Sequence, residues 1–185
     1  MRLAIAAIPA LLFCGTAFAE GWQEYVYADH GFAVSFPEAP KTESGRFQLP
    51  DGSMVPATIY SVTEPDGDYR VTIADFTKRP DGENSILNGA ETNLKRNATV
   101  KVEMPARVQA VFGRQLSLAG HDGSHISVAL FVYQHRLYQI TGTAFPVAAL
   151  AGSSDAIRFQ QSLRFTGNTG GFLGLNLLLG ALRQL

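Results

Sequence analysis

The stretch SHISVALFVYQHRLYQITGTA, residues 124–144, is typical of two β-strands joined by a tight turn. Its apolar, aromatic and β-branched residues predict strands over Ser124–Tyr133 and Arg136–Ala144. The connection between them, Gln134-His135, is as short as those that join antiparallel neighbours. This pair therefore predicts an antiparallel sheet, and the rest of the fold is built outward from it.

Two more strands are predicted immediately before this pair. Arg114–Leu118 precedes the turn residues Gly120-His121-Asp122-Gly123, and Thr99–Met104 lies one strand further back. All four strands follow one another through short connections. We expect them to form an antiparallel meander.

A helix is predicted over Asp81–Arg96, because apolar residues recur every four positions on one side. Asn84 or Ser85 is the expected N-cap. The apolar side holds Ile86, Leu87, Ala90 and Leu94, and the polar side holds Asn88, Glu91, Thr92 and Lys95. Such a stripe is typical of a helix that packs on a sheet.

A second helix is predicted to begin near Ser153-Ser154-Asp155 and to end at about Leu163. Serine and aspartate are favoured at a helix N-terminus, where they accept hydrogen bonds from free backbone amides. Ala156, Phe159 and Leu163 would lie on its buried side.

The first part of the chain predicts a hairpin over Gln23–Phe36, with the turn at Asp29-His30-Gly31. Strand alternation places Phe32, Val34 and Phe36 on one face. Lys41–Phe47 is polar enough for a surface loop or an irregular edge strand.

Two further strands are predicted in this part of the chain, Met54–Val62 and Tyr69–Phe76. Because Pro56 cannot donate to a strand ladder, the first of them is expected at an edge or at a bulge. The whole pattern predicts an α+β fold: one domain over residues 20–165, with a single antiparallel β-sheet flanked by two main helices.

Residues 1–19 have the three parts of a secretory signal peptide. Arg2 supplies the positive charge, Leu3–Phe13 is an apolar run, and Ala17-Phe18-Ala19 has the small residues that a signal peptidase requires. The apolar run is shorter than the roughly 20 residues that a spanning helix needs. We expect cleavage between Ala19 and Glu20 and a periplasmic or secreted protein.

This cleavage would also remove Cys14, the only cysteine of the chain. The mature protein would then have neither disulfide nor thiol chemistry. Lipid attachment at Cys14 is the alternative, but Phe13 stands where a small residue is needed. The formal net charge of −1 offers no basic excess for a phosphate backbone, so nucleic-acid binding is not expected.

Three local patterns together resemble a known superfamily. They are Gly31-Phe32-Ala33-Val34-Ser35-Phe36-Pro37, Arg136-Leu137-Tyr138-Gln139-Ile140 and Arg158-Phe159-Gln160-Gln161-Ser162-Leu163. From Trp22 to Phe165 the chain is similar to the exported proteins of the Mog1/PsbP/DcrB-like superfamily. The resemblance implies an α/β/α sandwich around an antiparallel sheet and an accessory, assembly or envelope-maintenance role. It supplies no active-site residues.

Candidate catalytic groups are few. His121 and His125, with Asp122 beside them, are weak metal candidates, because a zinc site needs at least three ligands and Asp122-Gly123 is ordinary turn chemistry. His30 and His135 also lie in predicted turns. No G-x-S-x-G, G-x-G-x-x-G or phosphate-loop motif occurs. We therefore expect no enzyme activity, cofactor or bound metal.

The C-terminal residues 166–185 form a glycine-rich joint followed by an apolar segment too short to span a bilayer. This segment could fold back on the domain, dock on an envelope protein or lie on a membrane surface, and its single cation favours protein over lipid. The expected contact residues are Phe172, Leu173, Leu175, Leu177, Leu178, Leu179 and Leu182.

These observations favour an exported, non-enzymatic accessory or binding protein of the bacterial cell envelope. Two alternatives stay open. One is a small-molecule carrier with a pocket between sheet and helix, and the other is a metal-dependent enzyme that uses His121 and His125.

Overall fold

A computed structural model describes residues 21–146 and 152–167. Within these ranges the chain forms ten strands and two α-helices, with a short 3-10 turn, Ala28–His30, after the first strand. The elements are β1 (Gln23–Tyr27), β2 (Phe32–Phe36), β3 (Lys41–Gln48), β4 (Met54–Glu64), β5 (Gly67–Asp75), α1 (Glu83–Asn97), β6 (Ala98–Val108), β7 (Val111–Gly120), β8 (His125–Tyr133), β9 (Arg136–Ala144), α2 (Gly152–Gln161) and β10 (Arg164–Phe165).

The large sheet has seven antiparallel strands in the order β3-β4-β5-β9-β8-β7-β6. The predicted meander is confirmed as β6 to β9. Tyr133 pairs directly with Arg136, and both residues between them, Gln134 and His135, have positive φ angles of 50° and 59°. That backbone twist matches the right-handed twist of the flanking strands, which explains how two residues reverse the chain.

The prediction of a single sheet is wrong. The hairpin β1–β2 forms a separate three-stranded sheet with β10, in the order β1-β2-β10. Arg164 pairs with Ala33, and Phe165 pairs with Phe32. Because Phe32, Val34 and Phe36 are fully buried, the hairpin lies on a face of the large sheet instead of extending its edge. Burying these apolar side chains is the physical reason for the second sheet.

The two helices pack on opposite faces of the large sheet, so the expected layered α+β arrangement is confirmed. The large sheet has an apolar core on each of its faces, and alternate residues of β8 contribute to the two cores. Val128 and Leu130 pack with α1, whereas Ala129 and Phe131 pack with α2 and the small sheet. All four are buried. Strand alternation thus makes one central strand apolar on both sides.

Two local expectations need correction. β4 is not an edge strand: it lies between β3 and β5, and β3 forms the edge. Pro56 has a strand neighbour on the β3 side only, because pairing with β5 begins at Ala57, and this accommodates its missing N–H. The N-cap of α1 is Gly82 and not Asn84 or Ser85.

No helix among the described residues is long and apolar enough to cross a membrane. The expected signal peptide and the apolar C-terminal segment lie outside the described residues.

Candidate functional site

A cleft of about 240 Å³ lies between the 3-10 turn and the strands β3, β4, β5 and β9. We call it the His30 cleft. Its lining residues combine opposite charges, hydroxyls and apolar groups: His30, Ser44, Gly45, Pro56, Ala57, Thr58, Ile73, Asp75 and Arg136.

His30 is positioned by the turn between β1 and β2. Gly31 closes this turn in the left-handed region, with φ of 68°, and its amide donates to the Ala28 carbonyl at 3.1 Å. The Tyr138 hydroxyl donates to the His30 carbonyl at 2.7 Å. These contacts hold the residue over β9.

The imidazole of His30 has an unsatisfied polar atom. Its Nδ1 is buried and has no hydrogen-bond partner in the part of the chain that the structure describes. Burial lowers the pKa of His30, and the positive charge of Arg136 adds to this effect, whereas Asp29 and Asp75 oppose it. The ring is therefore favoured in its neutral form.

Asp75 and Arg136 are directly opposite each other in the β5–β9 register. Asp75 Oδ1 accepts hydrogen bonds from the backbone amide and the hydroxyl of Thr77 at 2.9 and 2.6 Å. These bonds hold the pKa of Asp75 below its usual value, with smaller contributions from Arg136 and Lys78. Asp75 is therefore an anion at neutral pH.

Arg136 is half-buried and has no carboxylate within ion-pairing distance among residues 21–146 and 152–167. Other arginines of the described chain, such as Arg79, Arg114 and Arg164, do form ion pairs. A partly buried cation without a counter-ion is unusual, because burial removes hydration that a partner normally replaces. Arg136 interacts with the Tyr138 side chain, and its remaining guanidinium donors are available to an anionic ligand.

The groups in the cleft can recognise a polar ligand. A hydroxyl nucleophile needs a base within hydrogen-bond reach. In the described residues, no hydrogen bond joins His30 to Ser44 or Thr58. The cleft instead offers a cation, an anion and hydroxyl groups beside an apolar wall.

The structure places the three predicted metal candidates in different surroundings. Asp122 Oδ1 accepts from the backbone amide and the hydroxyl of Ser124 at 3.0 and 2.6 Å, which is an ordinary turn arrangement. His125 Nε2 lies 3.5 Å from the Ser117 hydroxyl. His121 is exposed. No group of three or more His, Cys, Asp or Glu side chains in the described residues is placed to hold a metal ion.

The expected partner-contact residues of the C-terminal segment all lie outside the described residues. They are Phe172, Leu173, Leu175, Leu177, Leu178, Leu179 and Leu182. Their role stays a prediction.

A second cavity lies where a carrier would need one, between α1 and the large sheet. Its volume is about 220 Å³, below the ~300–1,000 Å³ of typical ligand pockets. It is mainly apolar with three amide side chains, and it is lined by Phe47, Asn93, Leu94, Asn97, Ala98, Leu118, Ile126 and Gln139.

Sequence reasoning missed the role of His30, Asp75 and Arg136. Each lies at a strand end or in a turn, where a charged residue is ordinary. The pairing of β5 with β9 brings Asp75 and Arg136 together, and the packing of the β1–β2 hairpin on the large sheet adds His30.

No protein-family model and no curated protein matches the chain. The solution structure of cyanobacterial PsbP (CyanoP) from Synechocystis sp. PCC 6803 is similar, with a TM-score of 0.54 and 12% sequence identity over 84% of this chain and 98% of that one. The crystal structure of PA94 from Pseudomonas aeruginosa, a protein of unknown function and putative regulator, matches with a TM-score of 0.40 and 13% identity over 74% of this chain and 90% of that one. The similarity to the CyanoP structure confirms the resemblance at the level of the fold: this chain has a PsbP-like fold.

Proposed function

We propose that this chain is an exported, non-enzymatic binding or accessory protein of the bacterial cell envelope, and that the His30 cleft is its ligand site. The observation that carries the proposal is the half-buried Arg136, which has no ion-pair partner in the described residues and lies beside the unpartnered Nδ1 of His30. Buried polar groups are normally satisfied, so the unpartnered Nδ1 beside a cation that lacks a counter-ion favours a ligand that completes both.

Export rests on the N-terminal sequence. In bacteria that make the full chain, we expect the isolated protein to lack residues 1–19 and to be released with the periplasm or the medium. Intact-mass measurement after fractionation tests both points. Ala19→Leu should block processing, whereas Glu20→Gln, next to the cut, should not. A full-length chain in the cytoplasmic fraction would contradict the proposal.

The apolar segment after Gly171 is our candidate for contact with an envelope protein. Deleting Gly170–Leu185 should leave the domain folded and lower its recovery with cross-linked envelope proteins. Replacing Leu177, Leu178 and Leu179 with serine should have the same effect, and Arg183→Gln should have none. Unchanged recovery after the deletion would contradict this role, and binding to protein-free lipid vesicles would assign the segment to membranes.

A carrier function is the second candidate, because an apolar cavity does lie between α1 and the sheet. Filling it with Leu94→Trp should abolish uptake of a small apolar fluorophore if the cavity is a carrier site. For the metal-dependent enzyme, the test is metal analysis of the purified protein. Stoichiometric zinc that is lost in His125→Ala would favour that alternative over binding.

A further inference from the structure

The two charged groups of the His30 cleft do not form an ion pair with each other. Opposite charges at directly opposing positions of an antiparallel pair normally attract and pair. Asp75 and Arg136 occupy such positions, yet no ion pair joins them. The Thr77 hydrogen bonds orient Asp75 through Oδ1. Its Oδ2 accepts no hydrogen bond in the described chain. One cation and one anion thus border the same small space.

This charge arrangement discriminates among ligand classes. A simple anion would pair with Arg136 but would also meet the carboxylate of Asp75. A simple amine would pair with Asp75 but would meet the guanidinium of Arg136. Like charges at close range in a partly buried site are unfavourable. A ligand that carries both charges on neighbouring atoms avoids both penalties.

The size and the walls of the cleft restrict the chemical class of the ligand further. Its volume of about 240 Å³ is below the ~300–1,000 Å³ that drug-sized ligands occupy. Pro56, Ala57 and Ile73 supply an apolar wall beside the charged groups. Ser44 and Thr58 add hydroxyls without adding charge. A small zwitterion with an apolar substituent fits these features.

We propose that the His30 cleft binds a free α-amino acid, with its carboxylate on Arg136, its ammonium group on Asp75 and its side chain against Pro56 and Ile73. This inference rests on the cleft being the ligand site of the proposed function. A residue within a peptide lacks both charges, and a peptide terminus keeps only one of them. The inference is therefore specific to the free amino acid.

Isothermal titration and chemical-shift mapping of the purified processed protein test this inference with three probes: L-valine, N-acetyl-L-valine and L-valinamide. We expect saturable binding of L-valine and at least about tenfold weaker binding of each blocked form, because each lacks one charge-assisted contact. The blocked probes test the wild-type protein, so the result does not depend on whether a variant folds.

Two variants locate the contacts. Asp75→Asn keeps an acceptor for Thr77 and removes the charge, and Arg136→Gln removes the cation. Each should weaken L-valine binding by about tenfold or more. Asp68→Asn and Arg70→Gln are matched controls on β5, because these residues pair with each other outside the cleft, and they should bind L-valine like the wild type.

Three outcomes would overturn the inference. Equal binding of L-valine and N-acetyl-L-valine, lost in Arg136→Gln but kept in Asp75→Asn, would make the cleft a carboxylate site and leave the proposed function standing. Binding that both cleft variants keep would place the amino acid elsewhere. Absence of saturable binding of all three probes would remove the cleft's support for the proposed function, while the export measurement would stand independently.

Discussion

Glu91 is buried, although the helical pattern of α1 predicts it on the polar side with Lys95. Its carboxylate accepts hydrogen bonds from Lys95 and Arg114, and Arg114 also donates to Asn88 Oδ1 at 2.6 Å. Burial alone would raise the pKa of Glu91, but the bonds from Lys95 and Arg114 outweigh it and hold the pKa below its ordinary value. This ion cluster ties α1 to β7.

Arg114→Met should destabilise the protein by about 1–2 kcal/mol, because it leaves the buried carboxylate with Lys95 alone. This value is below that of a fully buried pair, since the Arg114 side chain is 27% exposed. Urea unfolding measures this loss of stability. The control is Glu24→Gln, which removes the exposed ion pair with Arg164 and should leave the unfolding midpoint unchanged. Equal midpoints for wild type and Arg114→Met would contradict the structural role.

His30 should make stability depend on pH. Its pKa is lowered in the folded state, mainly by burial, so its neutral form stabilises the fold. That contribution is complete above the unfolded value of about 6.5 and is lost as the pH falls through the lowered folded value. We expect the free energy of unfolding to fall as the pH drops below about 6.5, and His30→Gln to flatten this slope. His121→Gln, at an exposed turn, is the control and should keep the wild-type slope.

At the scale of the elements, α2 packs very closely on the large sheet at Gly142. A Cβ atom added to Gly142 of β9 would lie 2.5 Å from the backbone oxygen and 2.7 Å from the Cα of Ala156. Helix and strand therefore meet backbone against backbone at this point. Only glycine permits that contact, because any side chain would push α2 away from the sheet.

Gly142→Ala should destabilise the domain by about 1–3 kcal/mol, since neither backbone can move without disturbing the core. Gly89→Ala is the matched control on α1, where the nearest atom to an added Cβ is Pro50 Cδ at 3.4 Å. This helical substitution should stabilise by about 0.5–1 kcal/mol. Thermal and urea unfolding should show that the free energy of unfolding falls in Gly142→Ala and rises in Gly89→Ala. Destabilisation of the same size at both positions would contradict the backbone contact.

At the scale of the whole molecule, β10 completes the core that lies between the large sheet, the small sheet and α2. Phe165 of β10 is 2% exposed, and its ring lies 4.7 Å from that of Tyr133 and 5.1 Å from that of Tyr138. Gln109 donates to the Phe165 carbonyl at 3.0 Å and accepts from its amide at 3.1 Å. The two-residue strand β10 thus connects the small sheet with β9 and with the turn between β6 and β7.

A chain that ends at Thr169 should unfold cooperatively with near wild-type stability, whereas a chain that ends at Leu163 should be strongly destabilised. Phe165→Ala in the full chain should cost about 3–4 kcal/mol, the usual range for removing a buried phenylalanine side chain. Calorimetry and urea unfolding measure all three. Wild-type stability of the chain that ends at Leu163 would show that β10 is dispensable.

The accuracy of the sequence predictions follows the range of the interactions involved. The meander, both helices and the first hairpin depend on periodicity and short turns within a few residues, and the structure has all of them. The second sheet could not be predicted, because Arg164-Phe165 is too short for a strand signal and pairs with β2 near the other end of the domain. The burial of Glu91 depends likewise on Arg114, which lies on a different element.

The sequence by itself determined the local elements, the apolar surfaces that must be buried and the expectation of export, because these depend on composition and on periodicity along the chain. Only the tertiary structure decided that the hairpin packs on the sheet and that Asp75, Arg136 and His30 border one cleft. Strand pairing between distant segments is selected by the packing of the whole core. For that reason the candidate site, unlike the helices and the hairpins, has no signature in the local sequence.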